Sequence, residues 1–152
     1  MAPFEILEHT ADVGVRASGE TLEETFEQAA RGMCDIAGIW RGEEEGTDEE
    51  EGTDEEEGGE GEEIDISLAA DDLGALLVDW LSEILYLHDS RRSAVAGVRA
   101  ERISPSEAEG SVRLRPLGDE LAEGVQVKAV TYHRLKVERS EHGWTAEVYL
   151  DI

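Results

Sequence analysis

A chain of 152 residues with 38 acidic against 13 basic side chains, a net charge of −25 and a single cysteine excludes several protein classes before any motif is read. It is long enough for one domain with a substantial core, holds no apolar run near the ~18 residues of a membrane helix, and opens Met1-Ala2-Pro3-Phe4-Glu5 without a charged-then-apolar leader. Cys34 alone permits no disulfide framework, and Arg91-Arg92 is too small a basic patch to neutralise a nucleic-acid backbone. The expectation is a soluble cytoplasmic protein with no membrane partner and no strong direct nucleic-acid binding.

Phe4 and Ile6, then Val13, Val15 and Ala17, alternate with period two and read as two strands separated by a polar bend at Glu8-His9-Thr10. Thr21 precedes Glu24 by three residues, a capping box, and Leu22, Phe26, Ala29, Ala30 and Met33 follow at helical spacing to about Ala37. Cys34 falls in that helix beside Met33 and reads as a buried thiol. Residues 43–63 repeat Glu-Glu-Glu-Gly-Thr-Asp, with 14 acidic, no basic and no apolar residues, and are expected to be a disordered acidic insert. The repeat lacks the alternating ligand offsets and flanking helices of a calcium-binding EF-hand.

Ile64, Ile66 and Leu68 give another strand, and Asp71-Asp72 caps a second helix. Its residues Leu73, Leu76, Leu77, Trp80, Leu81, Ile84, Leu85 and His88 fall on one stripe, with Trp80 and Tyr86 as core or boundary aromatics. A turn at 89–93 follows. Segments 94–103, 111–116, 125–131, 133–139 and 144–151 then read as strands, broken at Ser104-Pro105-Ser106, Pro116-Leu117-Gly118-Asp119 and Glu141-His142-Gly143. The last two should form a hairpin. The predicted fold is α+β, two helices packed on a mixed or mostly antiparallel β-sheet, in a single domain spanning residues 1–152 apart from the insert at 43–63.

His9-Thr10-Ala11-Asp12-Val13-Gly14, the Gly19-Glu20-Thr21-Leu22-Glu23-Glu24 block with Phe26 and Ala29-Ala30, Leu76-Leu77-Val78-Asp79-Trp80-Leu81, Val127-Lys128-Ala129-Val130-Thr131-Tyr132-His133 and the final Asp151-Ile152 follow one another in a familiar order. Together they resemble the archease family. From the residues alone, Asp12 at the start of a strand could simply bond backbone amides. The resemblance implies that Asp12, Asp151 and Ile152 are metal-site groups, with Ile152 contributing only a carbonyl or terminal carboxylate. Such hard oxygen donors suit calcium first, with manganese or magnesium as alternatives, rather than zinc. Glu8 stands where many archeases have aspartate, which leaves its part in such a site open.

Lys128 is one of only two lysines and lies in a strand block; exposed solvation is its simplest fate. The resemblance implies instead that Lys128, and with it His9, faces a partner ligase or its nucleotide. What the family implies as a whole is an accessory protein for an RtcB-type RNA ligase in tRNA splicing, promoting ligase guanylylation and multiple turnover, with tRNA met only through the ligase. A chaperone-like module for nucleic-acid-modifying enzymes is the alternative, and a self-standing metal-dependent hydrolase a third.

Outside residues 43–63 the chain still carries about −11, so the acidity is global. A salt-adapted surface accounts for it, since salt screens self-repulsion. Refolding yield should therefore rise between dilute buffer and molar potassium chloride; a flat or falling yield would remove the salt-adaptation reading.

Overall fold

The computed structural model describes residues 3–8, 12–42, 61–117 and 124–152. Strand β1 (Phe4–Glu8) is followed by β2 (Asp12–Gly19), helix α1 (Leu22–Ala37), β3 (Glu62–Ala69), helix α2 (Leu73–Arg91), β4 (Ser93–Ile103), β5 (Glu107–Pro116), β6 (Ala129–Ser140) and β7 (Gly143–Asp151). They form two sheets, ordered β1-β2-β7-β6 and β3-β5-β4. Every pairing between these strands is antiparallel; the parallel element is one isolated bridge between Trp40 and Val95. The α+β expectation holds, with the strands divided between two sheets.

Each helix touches both sheets: α1 packs on β1, β2 and β7 and also on β4, while α2 packs on β6 and also on β3, β4 and β5. The helices are thus the filling between two sheets. This explains why α2 is apolar around more of its circumference than one stripe, burying Leu76, Leu77, Val78, Trp80, Leu81, Ile84 and Leu87. Trp80 is fully buried, its Nε1–H donates to the Phe26 carbonyl at 3.3 Å, and the two rings lie 6.1 Å apart, joining α2 to α1. Gly110 on β5 is required by the same packing, because a Cβ there would come within 2.1 Å of the Arg99 carbonyl and 2.8 Å of the Trp80 ring.

Local chemistry starts both helices as expected. The Thr21 hydroxyl accepts from Glu24 N–H at 3.0 Å, the Glu24 carboxylate accepts from Glu20 N–H at 2.9 Å, and Asp72 accepts from Ala75 N–H at 2.8 Å. The turn expected at 89–93 is shorter than the sequence suggested, since α2 continues to Arg91 and stops at Arg92, whose φ of 50° lies in the left-handed region. Arg91 pairs with Glu62 at 2.9 Å. Glu62 and Glu63, assigned above to the acidic insert, open β3 instead: Ser111 donates to Glu63 at 3.0 Å, and alternation brings Ile64 and Ile66 to the β5 register. Residues 43–60, where the insert's disorder was expected, lie outside the described residues, as do Gly118 and Asp119 of one turn and His9 and Thr10 of the polar bend.

The two strands expected at 125–131 and 133–139 are one. β6 runs unbroken from Ala129 to Ser140, bulging between Thr131 and Lys136, where Arg134 takes a φ of 57°. Three extra residues enter β6 there, so alternation on the two sides is out of phase and reads as two strands. Residues 125–128 lie outside the strand, held by Val125 N–H on the Ile36 carbonyl at 2.9 Å and Lys128 N–H on the Asp151 carbonyl at 2.7 Å. The expected β6–β7 hairpin is present, closing at Ser140 and Gly143.

Cys34 is fully buried, and burial pushes its thiol up to about 12, an inert core group as expected. Two carboxylates of α1 grip β4: Glu27 accepts from Ala100 N–H at 2.8 Å and Glu23 from Ile103 N–H at 2.9 Å, on either side of a register shift between Ala100 and Arg102. Burial raises the Glu27 carboxyl above its ordinary value, and the Ala100 amide opposes that shift without cancelling it. A raised folded-state value means that Glu27's stabilising contribution is full at acid pH and falls as pH rises through that value. Glu27→Gln, which keeps an acceptor for Ala100, should flatten this decline; a wild-type and variant thermal midpoint that run parallel from pH 4 to pH 8 would contradict it.

Candidate functional site

The register of β2 on β7 sets Asp12 directly opposite Asp151, and β6 sets Ala129 opposite Asp151 from the other side. Residues directly opposite in an antiparallel pair share a face, so both carboxylates stand on one surface of the four-stranded sheet. This is the face turned away from the helices, since the alternate partners Val13 and Leu150, Val15 and Val148, and Ala17 and Ala146 are buried in the core. Lys128 joins the pair through its main chain, donating to the Asp151 carbonyl, and Ile152 follows at once, half-buried. Asp12, Asp151, Ile152 and the Lys128 backbone therefore converge. His9 and the Glu8 side chain lie outside the described residues.

Successive rungs of the same face carry further groups, of which sequence reading pointed to His133 and not to Tyr149, Arg16 or Glu147. Next to the aspartates, Tyr149 sits between Gly14 and Thr131, with the His133 ring edge-on at 6.0 Å and the Thr131 hydroxyl donating to the Tyr149 carbonyl at 3.0 Å. The following rung aligns Glu5, Arg16, Glu147 and Lys136; Arg16 pairs with Glu5 at 2.7 Å and Glu147 at 3.5 Å, and the Tyr149 hydroxyl donates to Glu147 at 3.3 Å. The Tyr149 ring is buried although it lies on the outer face. His133 reaches it because the β6 bulge redirects residues 132–135, a displacement invisible to a period-two count.

Asp12 and Asp151 differ from the charged rung below them: among the described residues neither has a cationic side chain paired with it, and no group of three or more His, Cys, Asp or Glu side chains assembles around them. Two opposed carboxylates and the adjacent main-chain oxygens of Ile152 are hard donors, and they fit a divalent cation of the calcium, magnesium or manganese class. They fall short of the six to eight oxygens calcium takes, so water or another molecule must supply the remainder.

On the helix side of the sheet a cleft of about 730 Å³ opens between the second half of α2 and residues 124–130. Ser82, Leu85, Tyr86, His88 and Asp89 line one wall; Gly124 and the run from Gln126 to Val130 line the other. Lys128 is in this lining, and its amide is tied to the aspartate pair through the Asp151 carbonyl. Tyr86, expected as a core or boundary aromatic, is 62% exposed, because its position on α2 faces the cleft and neither sheet. His88 Nδ1 is 2.7 Å from the Ser93 carbonyl, which can only accept; Nδ1 therefore carries the proton, leaving Nε2 as the remaining polar atom of the ring.

A four-stranded and a three-stranded antiparallel sheet enclosing two helices, with Asp12 of β2 set opposite Asp151 of β7, define a small α+β fold. Residues 4–152 match the model of the archease protein family (MTH1598/TM1083). The chain belongs to that family. It is similar to the archease of Methanosarcina mazei, 35% identical over 98% of this chain and 95% of that one, and to the archease of Pyrococcus furiosus, 34% identical over the full length of both. Among solved structures it is similar to Methanobacterium thermoautotrophicum protein 1598, with a TM-score of 0.69 at 26% identity and complete coverage of both chains. The crystal structure of an archease, described as a possible chaperone, from Thermotoga maritima shares the fold at a TM-score of 0.55, 23% identity and coverage of 96% and 94%.

Like charges set directly opposite each other destabilise a sheet. In chelator-treated buffer, Asp12→Asn or Asp151→Asn should therefore stabilise the protein by roughly 0.2–1 kcal/mol, read from chemical denaturation. A loss of stability in both variants would show that the pair is held by favourable contacts instead.

Proposed function

We propose that this chain is a cytoplasmic protein activator of an RtcB-type RNA ligase, serving tRNA splicing by promoting guanylylation of the ligase and its multiple turnover. It acts as an accessory protein and meets tRNA through the ligase. The observation that carries this reading is the β2–β7–β6 register, which aligns Asp12 with Asp151 and ties the Lys128 amide to the latter. These are the positions at which the archease resemblance expects a metal-site group and a functional lysine.

Asp12, Asp151 and the Ile152 main-chain oxygens would hold a divalent cation, calcium in isolation and manganese or magnesium as alternatives. Bound there, the ion would supply positive charge toward phosphate oxygens. The incomplete donor set suits a site that a second protein finishes. Asp12 and Asp151 keep their carboxylates at fixed spacing because each is locked into a strand ladder, and Lys128, exposed and without a carboxylate paired to it among the described residues, would be the cation offered to a nucleotide phosphate. His9 is the remaining candidate for the partner-facing surface. An acidic accessory protein is also electrostatically matched to a basic nucleic-acid-handling enzyme, which speeds encounter.

The words "possible chaperone" attached to the Thermotoga relative keep a second reading in play, a module that protects nucleic-acid-modifying enzymes from aggregation. Counting ligation products separates the two. With a purified ligase, the wild-type chain should drive product beyond one per ligase and calcium should raise its thermal midpoint, while Asp12→Ala and Asp151→Ala should abolish both effects. Stimulation that survives both substitutions would sink the metal-site mechanism, and protection from aggregation without extra turnovers would favour the chaperone.

A further inference from the structure

We propose that the chain's own acidic residues 43–60 dock on the outer face of the three-stranded sheet, at a hollow flanked by Arg99 and Arg113. Residues 91–115 carry six basic and three acidic side chains, in a chain whose acids outnumber its bases 38 to 13. The helices cover the inner face of that sheet, where Ile66, Val112 and Leu114 are buried. Alternation sends Arg113 and Arg115 to the other face, and the register of β4 adds Arg99 opposite Ser111. There Glu63, Gly97, Val98, Arg99, Ser111 and Arg113 line a hollow of about 320 Å³. Its positive charge is unspent. Glu63 stands directly opposite Arg113, but its carboxylate accepts from the Ser111 hydroxyl at 3.0 Å. Among the described residues Arg113 and Arg115 have no carboxylate paired with them, and Arg99 reaches only Glu101, at 4.0 Å.

The connectivity of the chain selects the occupant. Trp40 bridges Val95, Val95 pairs with Leu114, and Leu114 pairs with Glu62, so Trp40 and Glu62 end one rung that crosses the whole sheet. Three strand spacings separate them, about 14 Å. Gly42 still lies against β4, since a Cβ there would come within 2.8 Å of the Ala96 carbonyl. Residues 43–60 must therefore return from one margin of the sheet to the other, and 12 of these 18 residues are acidic. With the inner face filled by helices, the way back runs by the outer face, where the rungs on either side of the crossing rung carry Arg113 and Arg115. A tethered ligand acts at an effective concentration on the order of millimolar, which a free anion or a partner's acidic segment would have to exceed. Docked there, the acidic residues mask the arginines and are held across the helices from the Asp12–Asp151 face, where they do not compete for a divalent cation. This docking is independent of the ligase reading.

A nitroxide placed on Thr53→Cys of the full-length chain tests the contact, since the buried Cys34 thiol does not compete for the label. In dilute buffer the nitroxide should broaden the amide signals of Gly97, Arg99, Ser111 and Arg113, and molar potassium chloride should restore them, because exposed charge pairs are screened. The double charge reversal Arg99→Glu with Arg113→Glu should restore them as well, whereas Lys136→Glu on β6 leaves the broadening unchanged. Should the double variant fail to fold, Arg113→Gln, which removes one charge from the hollow, should restore the signals in part. A segment that is merely tethered broadens whatever lies near Gly42 and Glu62 at every salt concentration and in every variant. Broadening of that kind, or broadening confined to the four-stranded sheet, overturns the docking. So does broadening that a nitroxide-bearing copy transfers to an isotope-labelled copy without the nitroxide, which identifies a second molecule as the holder of the segment.

Discussion

The pairing of β2 with β7 is the constraint on which the rest depends. Eight residue pairs from Asp12–Asp151 to Gly19–Trp144 join the first part of the chain to the last, and Arg16 meets Glu147 across 131 residues of sequence. Closing so long a loop costs entropy that local contacts cannot offset, and the return comes from burying Val13, Val15, Ala17, Ala146, Val148 and Leu150 against the helices. Once that register is set, the polar faces of the same strands have no freedom left. Asp12 must face Asp151, and Arg16 must face Glu147.

The same constraint separates two surfaces that a linear reading merges. The aspartate pair lies on the outer face of the four-stranded sheet, whereas Lys128, next to it through a main-chain hydrogen bond, also lines a cleft bordered by α2. A partner that reached both would have to engage an edge, since only the edge of a sheet borders both of its faces. The edge in question is β6, and it carries both lysines of a strongly acidic chain on or beside it. Elsewhere three arginines are held in ion pairs, Arg16 with Glu5, Arg91 with Glu62 and Arg102 with Glu109.

Much of the fold was legible in the sequence because its signals are local. The capping box at Thr21, the Asp72 cap, the period-two strands at β1, β2, β3 and β7 and the hairpin at Glu141-His142-Gly143 each depend on residues within a few positions of one another. The errors have a common cause. A three-residue bulge shifts the phase of alternation and so splits β6 in a period-two count, clamping between two sheets cannot be inferred from one helix and so α2 shows a single stripe, and the cleft that exposes Tyr86 is made by residues some 40 positions away. The contact between Tyr149 and His133 is hidden for a related reason: a buried tyrosine on a solvent-facing rung becomes evident only when the bulge brings the histidine over it.

By itself the sequence determined the chemical kind of this protein: an acidic chain with two capped helices, no nucleophile loop, no disulfide, and hard oxygen donors near its two ends, in the order of blocks that marks the archease family. Tertiary structure alone decided that those aspartates are direct cross-strand neighbours on the outer face, that Lys128 is tied to them by its backbone and lines a cleft beside α2, and that among the described residues β6 ends its sheet next to that cleft. The reason is physical. Caps, turns and alternation are set by interactions a few residues long, whereas register, layering and exposed edges are set by which apolar faces find each other across the whole chain.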